Sequence, residues 1–254
     1  RSYNEPMVVT SYGPGTTRPT LNDGAVVQNV GPEHRYFVMN DLHLANQGLG
    51  LFGSWRNVLF ENLYIEKGAP GMAIYDNPAD VTVRRSIVAD VPATPGQAVG
   101  LIGGGERLVI EENLFDYNGF DSQGQSTIFY HNLYIGFALG ATGKVIERNN
   151  IISRGADGGK FISMSGVIEH NTYLQNAYAV LGCCDINTVI QHNVVIDGKD
   201  YAHDLPRGSG FGVGLNPRDD VNQLSVVNTI VDNNIIAHQH TGTGNIGGMF
   251  FEMG

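Results

Sequence analysis

Short apolar runs, each broken by a polar residue that is usually Asn, recur along the whole chain. The segments are FVMNDLHL, VLFENLYI, VTVRRSIV, LVIEENLF, TIFYHNLYI, KVIERNNII, GVIEHNTYL, TVIQHNVVI and TIVDNNIIA. With Asp41, Asn62, Ser86, Asn113, Asn132, Asn149, Asn171, Asn193 and Asn233 as polar centres, the spacing is roughly 17–27 residues, with one interval of about 40. Three residues before these centres stand Val38, Leu59, Val83, Ile110, Phe129, Ile146, Ile168, Ile190 and Ile230. Two residues after them stand His43, Tyr64, Val88, Phe115, Tyr134, Ile151, Tyr173, Val195 and Ile235. Nearly all of both columns are apolar and rich in β-branched or aromatic types, which predicts the buried face of short strands. The chain's 34 Gly and 10 Pro interrupt every stretch long enough for a helix, and no apolar stripe persists at helical period. The pattern therefore predicts a strand solenoid. About nine coils at an interstrand spacing of about 4.8 Å give a rod of about 40 Å, and an Asn at the same corner of each coil can bond to the coils on either side.

These repeats, from about Asn40 onward, resemble the right-handed parallel β-helix superfamily, the fold of pectate-lyase-like and other carbohydrate-active proteins. The resemblance implies an all-β fold, a single-stranded right-handed parallel β-helix (solenoid) with an Asn ladder, and a secreted protein, extracellular or periplasmic. Residues 1–254 read as one parallel β-helix domain, since solenoids grow by adding units and no linker or low-complexity segment divides the chain. Arg1 opens without a signal peptide, PMVVTSYGPGTTRPTL resembles the edge strands that follow an N-terminal cap, and FFEMG stops without an evident cap. The expectation is a mature product or a fragment lacking an N-terminal cap and C-terminal coils.

A formal charge of −10 argues against nucleic acid, and the absence of a run of eighteen apolar residues argues against a membrane span. An acidic polymer as partner then needs a local basic groove or bridging cations. The two cysteines, Cys183 and Cys184, are neighbours, a spacing that disfavours a mutual disulfide and matches no zinc or redox motif. Nucleotide, serine-esterase and zincin signatures are also absent.

Candidate chemistry falls in three columns. Just ahead of the polar centres lie His131, His170 and His192, with Arg148 among them and Tyr130 and Glu147 one place earlier, and imidazole can serve as acid or base near neutral pH. Set against this, a polar exposed corner is normal for any such rod. About eleven residues before the centres lies a column of Leu51, Tyr75, Ile102, Asp121, Ala138, Lys160 and Gly182. Lys160 follows the loop SRGADGG, which supplies Arg154 and Asp157. A third column is basic, Arg56, Arg107 and Lys144, and can contact carboxylates along a uronic-acid polymer.

A narrower resemblance rests on HNLYIG at His131 to Gly136, then a Lys, then an Asn at the next-but-one ladder position. It is similar to a pattern in a mostly uncharacterised group of bacterial secreted β-helix proteins. Where that group has a Lys-Ser-Arg run and an acidic segment, this chain has Lys160-Phe161-Ile162-Ser163 and AYAVLGCCDI, so an Arg role falls to Arg154 or Arg148. The match favours Lys160, His131 and Asn132.

The chemistry suited to these parts is β-elimination of a uronic-acid polysaccharide: a cation neutralises the carboxylate, a base removes the C5 proton, and an acid protonates the departing oxygen. Lys160 is the first choice for the base and His131 the second, with Arg154 as the cation and Tyr130 or His170 as the acid. Arg148, Arg107, Lys144 and His192 would bind substrate. No cofactor is required by the motifs; Ca²⁺ is the ion that Asp116, Asp121 and Asp157 could hold, although no fixed loop motif supports it. A glycoside hydrolase or uronate epimerase on the same fold is the alternative enzyme, with Glu147 and Glu169 as outward carboxylates and an isolated Asp219-Asp220 pair; the remaining polygalacturonase signatures are missing. A non-catalytic polysaccharide-binding protein, adhesin or phage-spike shaft is the other alternative. The insertion between Asn193 and Asn233, with His203, Asp204 and Arg207, is expected to flank the groove.

Overall fold

The computed structural model describes residues 2, 4–13, 15, 17–93, 99–127, 129–136, 143–162, 164–183, 187–199, 201, 211–215, 226–237 and 249–251. Among them there is no helix, and every named strand pairs in parallel with its equivalent one coil away. The chain is a parallel β-helix with three faces. The first face is a sheet of nine strands, from Met7–Thr10 and His34–Asn40 through Trp55–Glu61, Ala79–Arg84, Arg107–Glu111, Gly143–Arg148, Met164–Glu169 and Thr188–Gln191 to Ile230–Asp232. The second face is narrower, with three-residue strands such as His43–Ala45, Tyr64–Glu66, Ile87–Ala89 and Leu114–Asp116. The third carries Ala25–Gln28, Leu49–Phe52, Met72–Ile74, Val99–Gly103 and His131–Gly136. The long strands Ile151–Ile162 and Thr172–Cys183 run across both the second and third faces and join them into one sheet.

Two corners are set by backbone geometry. Between the first and second faces, Asp41, Asn62, Arg85, Glu112, Asn149, His170, His192 and Asn233 all have left-handed backbone, with φ from 51 to 59°. Between the second and third, Asn46, Lys67, Asp90, Tyr117, Arg154, Gln175 and Asp197 repeat the device at φ 47 to 66°. One left-handed residue turns the chain sharply enough for the next residue to enter the core. Asn and Asp tolerate this conformation best, which explains four of the nine polar centres in the sequence, Asp41, Asn62, Asn149 and Asn233.

The ladder itself lies one residue further on, which keeps the predicted centres Ser86, Asn113, Asn171 and Asn193 and corrects Asp41, Asn62, Asn149 and Asn233. Asn113, Asn150, Asn171, Asn193 and Asn234 stack, each rung's backbone N–H bonding to the next rung's Oδ1 at 2.9–3.0 Å and each Nδ2 to the same atom at 2.9–3.1 Å. Ser86 joins the bottom of this stack through its N–H, 2.9 Å from Asn113 Oδ1, and below it Leu42 and Leu63 take the position as plain core residues. Asp41, Asn62, Asn149 and Asn233 are therefore turn residues beside the ladder rather than rungs of it. Asn132 belongs to neither column. It is the second residue of the strand His131–Gly136 on the third face and makes a second ladder with Asn118 at 2.8 Å and Asn176 at 3.2 Å. It fills the rung that Gly155 leaves empty, since a Cβ on Gly155 would sit 2.7 Å from Asn132 Nδ2.

The apolar columns split in the same way. Val83, Ile110, Ile168 and Ile190 are buried in the core, whereas Val38, Leu59, Ile146 and Ile230 sit on the outer side of the first face. Val88, Phe115, Tyr173 and Val195 point inward, but His43, Tyr64, Tyr134, Ile151 and Ile235 do not. Strands such as Phe37-Val38-Met39 and Val58-Leu59-Phe60 are apolar on both sides, so alternation does not choose the inner one, and a one-residue slip reverses every side chain. Glu147, expected outside, is likewise fully buried.

Candidate functional site

The outer side of the third face carries one column fixed by register: Ala73, Ile102, Tyr134, Lys160 and Leu181. Beside it runs a groove of about 500 Å³ bounded by Tyr75, Asp76, Asn77, Ile102, Tyr134 and Gly136. The hollow follows from the run Gly103-Gly104-Gly105, which contributes no side chains. Gly103 cannot be replaced there, for its φ is 141° and a Cβ would meet the Ile74 carbonyl oxygen at 2.0 Å. Tyr75, 40 % exposed, stands at one end of the groove against Phe52, with ring centroids 5.7 Å apart, and burial pushes its phenol upward in pKa. Asp76 is held by the Gly53 N–H at 2.8 Å. Tyr134 also borders the groove, and one coil further on, beyond the lining, the Lys160 ammonium stands over the Tyr134 ring, 5.4 Å from its centroid, a cation–π contact.

His131 shares this face with Lys160 but turns the opposite way. It is fully buried beneath the sheet, its Nδ1 2.9 Å from Asp157 Oδ2, and its ring lies 5.2 Å from Tyr134. The expectation of an outward His131 is thereby corrected: alternation along His131–Gly136 puts His131, Leu133 and Ile135 inside and Tyr134 outside. Tyr130 ends the turn before this strand, its N–H on Thr127 O at 3.1 Å.

The other candidates are scattered. His170 and His192 occupy the first corner, exposed and stacked at 5.1 Å with an 11° tilt. Arg154 lies at the second corner, where it grips both oxygens of Asp116 and covers the Tyr117 ring at 5.0 Å. The bond to Asp116 raises the Arg154 pKa. Burial pushes the Asp116 carboxyl upward, yet the bonds from Arg154 and Ser153 more than offset it and leave it below its ordinary value. Arg148 and Arg107 lie on the first face, paired with Glu111 at 2.6 Å and Asp80 at 3.5 Å, with the exposed Lys144 in register beside Arg107. The Ca²⁺ candidates do not converge: Asp116 serves Arg154, Asp157 faces His131, and Asp121 closes a turn on the Gln123 and Gln125 N–H groups at 2.8 Å. Among the described residues no three acidic, His or Cys side chains gather around a common point. Ala138, Cys184, His203, Asp204, Arg207, Asp219 and Asp220 lie outside the described residues.

The sequence reading missed Tyr134 as an outward residue, because it took that column for core. The Gly103-Gly104-Gly105 run was the available signal, since three residues without side chains on a solenoid face make a hollow.

No protein-family model and no curated protein matches the sequence. Among solved structures, the A-module of the Azotobacter vinelandii mannuronan C-5 epimerase AlgE6 overlaps 97% of this chain and 84% of its own, at 12% identity and a TM-score of 0.40. PfbA, a surface adhesin of Streptococcus pneumoniae, overlaps 80% of this chain and 64% of its own, at 13% identity and a TM-score of 0.28. Both overlaps are too loose to carry an argument about this chain.

Proposed function

We propose that the protein binds an acidic polysaccharide along the groove of the third face, and that Lys160 supports β-elimination on the bound chain. The observation behind this reading is the pairing of Lys160 with Tyr134 at the end of a hollow that also carries Tyr75. Tyrosine rings take the apolar faces of sugars, and a neighbouring ammonium takes a carboxylate. Lys160 is in register between Tyr134 and Leu181 on the outer column of this face, whereas Arg107 and Arg148 lie on the first face and Arg154 at the second corner. For the elimination Lys160 first gives its own proton to solvent and with it gives up the ion pair to the carboxylate; the neutral amine then accepts the C5 proton, the electron pair left behind forms the C4–C5 double bond, and the C4–O bond breaks. The departing oxygen takes a proton from the Tyr134 hydroxyl or from water. A C5 epimerase would share the first of these steps. A hydrolase fits less well, for it needs two facing carboxylates and Asp76 is the single one lining the groove among the described residues. A substrate of this kind belongs outside the cell or in the periplasm.

The second reading, binding without catalysis, is favoured by His131 being buried and by Arg154 being committed to Asp116. Affinity electrophoresis in gels containing alginate, pectate or glycosaminoglycans tests the binding, with Lys160→Ala and Tyr134→Ala as controls. Ultraviolet absorbance from unsaturated uronate tests the elimination. Retarded migration without absorbance leaves the binder; no retardation in any acidic glycan sinks both.

A further inference from the structure

The outer side of the first face carries one apolar stripe along its length. Its central column runs in register from Val8 through Leu59, Val109 and Ile146 to Ile230, interrupted by a polar residue only at Thr82. At the two ends Val8 and Ile230 are 52 % and 56 % exposed. Charged columns flank this stripe. On one side the signs alternate coil by coil through Glu61, Arg84, Glu111, Arg148 and Glu169, with Arg84 2.8 Å from Glu61 and Arg148 2.6 Å from Glu111. On the other side Asp80, Arg107 and Lys144 follow in register, with Arg56 one residue away, opposite Ala79, and 3.6 Å from Asp80. Thus each of three successive strands bears opposite charges at its two ends: Arg56 and Glu61, Asp80 and Arg84, Arg107 and Glu111.

We infer that this face packs against the same face of a second copy of the chain, sheet on sheet, in a two-fold dimer. Its size suits the purpose. Nine strands at about 4.8 Å spacing and about 20 Å of strand length offer about 800 Å² per copy, which is what a stable interface buries. Its charge pattern selects the occupant. A uniformly acidic polymer would want a uniformly basic rim, whereas an alternating rim is complementary to itself under a two-fold axis. With the axis along the strand direction, midway between Ala79–Arg84 and Arg107–Glu111, Arg84 meets Glu111 of the second copy. Glu61 then meets Arg148 and Asp80 meets Arg107. The one like-charge meeting, Arg56 with Lys144, is relieved by Glu33 and Glu106 at 3.1 and 3.5 Å from Arg56. A hollow of about 530 Å³ among Tyr36, Leu59, Thr82 and Val109 accepts side chains from the facing sheet.

Sedimentation equilibrium of the full chain across the micromolar range tests this. The expected result is a concentration-dependent dimer. Thr82→Glu puts a charge at the centre of the stripe where the side chain is already polar, so folding, followed by thermal melting, is retained while the dissociation constant rises by at least about tenfold. Arg84→Glu weakens the dimer, and adding Glu111→Arg restores it. A monomer at every concentration, or a dimer indifferent to both Thr82→Glu and Arg84→Glu, overturns the inference.

Discussion

Inside the core Tyr173 donates its hydroxyl to Glu147 Oε1 at 2.6 Å, with both side chains fully buried and Glu147 Oε2 left without a hydrogen-bond partner. Burial pushes Glu147 from 4.5 up to about 7, although the Tyr173 bond acts in the opposite direction. Because the folded-state pKa lies above the unfolded one, the folded protein holds more protons between those values. Stability from this group is therefore greatest below about pH 4.5, falls as pH rises through the window, and levels off above about pH 7, a total change of about 3 kcal/mol. Glu147→Gln keeps an acceptor for Tyr173 and removes the titration. Its melting temperature relative to the natural chain should climb between about pH 4.5 and about pH 7, and a flat difference would show that Glu147 does not titrate in this window.

The two polar columns at the first corner should respond differently to substitution. Asn171→Ala removes a fully bonded rung that serves Asn150, Asn193 and the Glu147 carbonyl, at a cost of about 2–4 kcal/mol. Asn149→Ala, at the adjacent left-handed turn, should cost about 1 kcal/mol. Urea denaturation measures both, and equal costs would contradict the assignment of the ladder to the inner column.

The second ladder predicts a close steric dependence. Gly155→Ala places a methyl group 2.7 Å from Asn132 Nδ2 and should destabilise by about 1–3 kcal/mol. The same change made with Asn132→Gly should cost less than the sum of the two single changes, as expected for residues sharing one site.

His131 and Lys160 should separate stability from binding. His131→Ala leaves Asp157 buried without its imidazole and is expected to cost about 3–5 kcal/mol in thermal or urea unfolding. Lys160→Ala should cost less in unfolding than His131→Ala and reduce retention by acidic glycans, most clearly at low salt. A destabilised Lys160→Ala variant with intact retention would reverse these roles.

The repeat, the strand class and the coil axis were legible because every coil spends its apolar residues in the same order. What resisted reading was which of two neighbouring residues faces in. Asn149-Asn150 and Asn233-Asn234 place a turn Asn and a rung Asn side by side, and either satisfies the spacing. Leu42 and Leu63 carry the rung position without any polar mark. Lys160 was found as an outward residue because charge alone rarely tolerates the inside. His131 was misread for the converse reason: its buried partner Asp157 comes from the following coil, 26 positions along the chain, and nothing local announces it.

Asn132 closes the second ladder from a strand that begins after the turns following Asn118, so the chain leaves the stack at one amide and rejoins it at another that is bonded to the first. The segment between them is thus an excursion pinned at both ends by one amide pair, with Phe120, Ser126 and His131 tucked in along it. Whatever path the chain takes there, the rise from one coil to the next at this corner is set by two side chains that never leave the core.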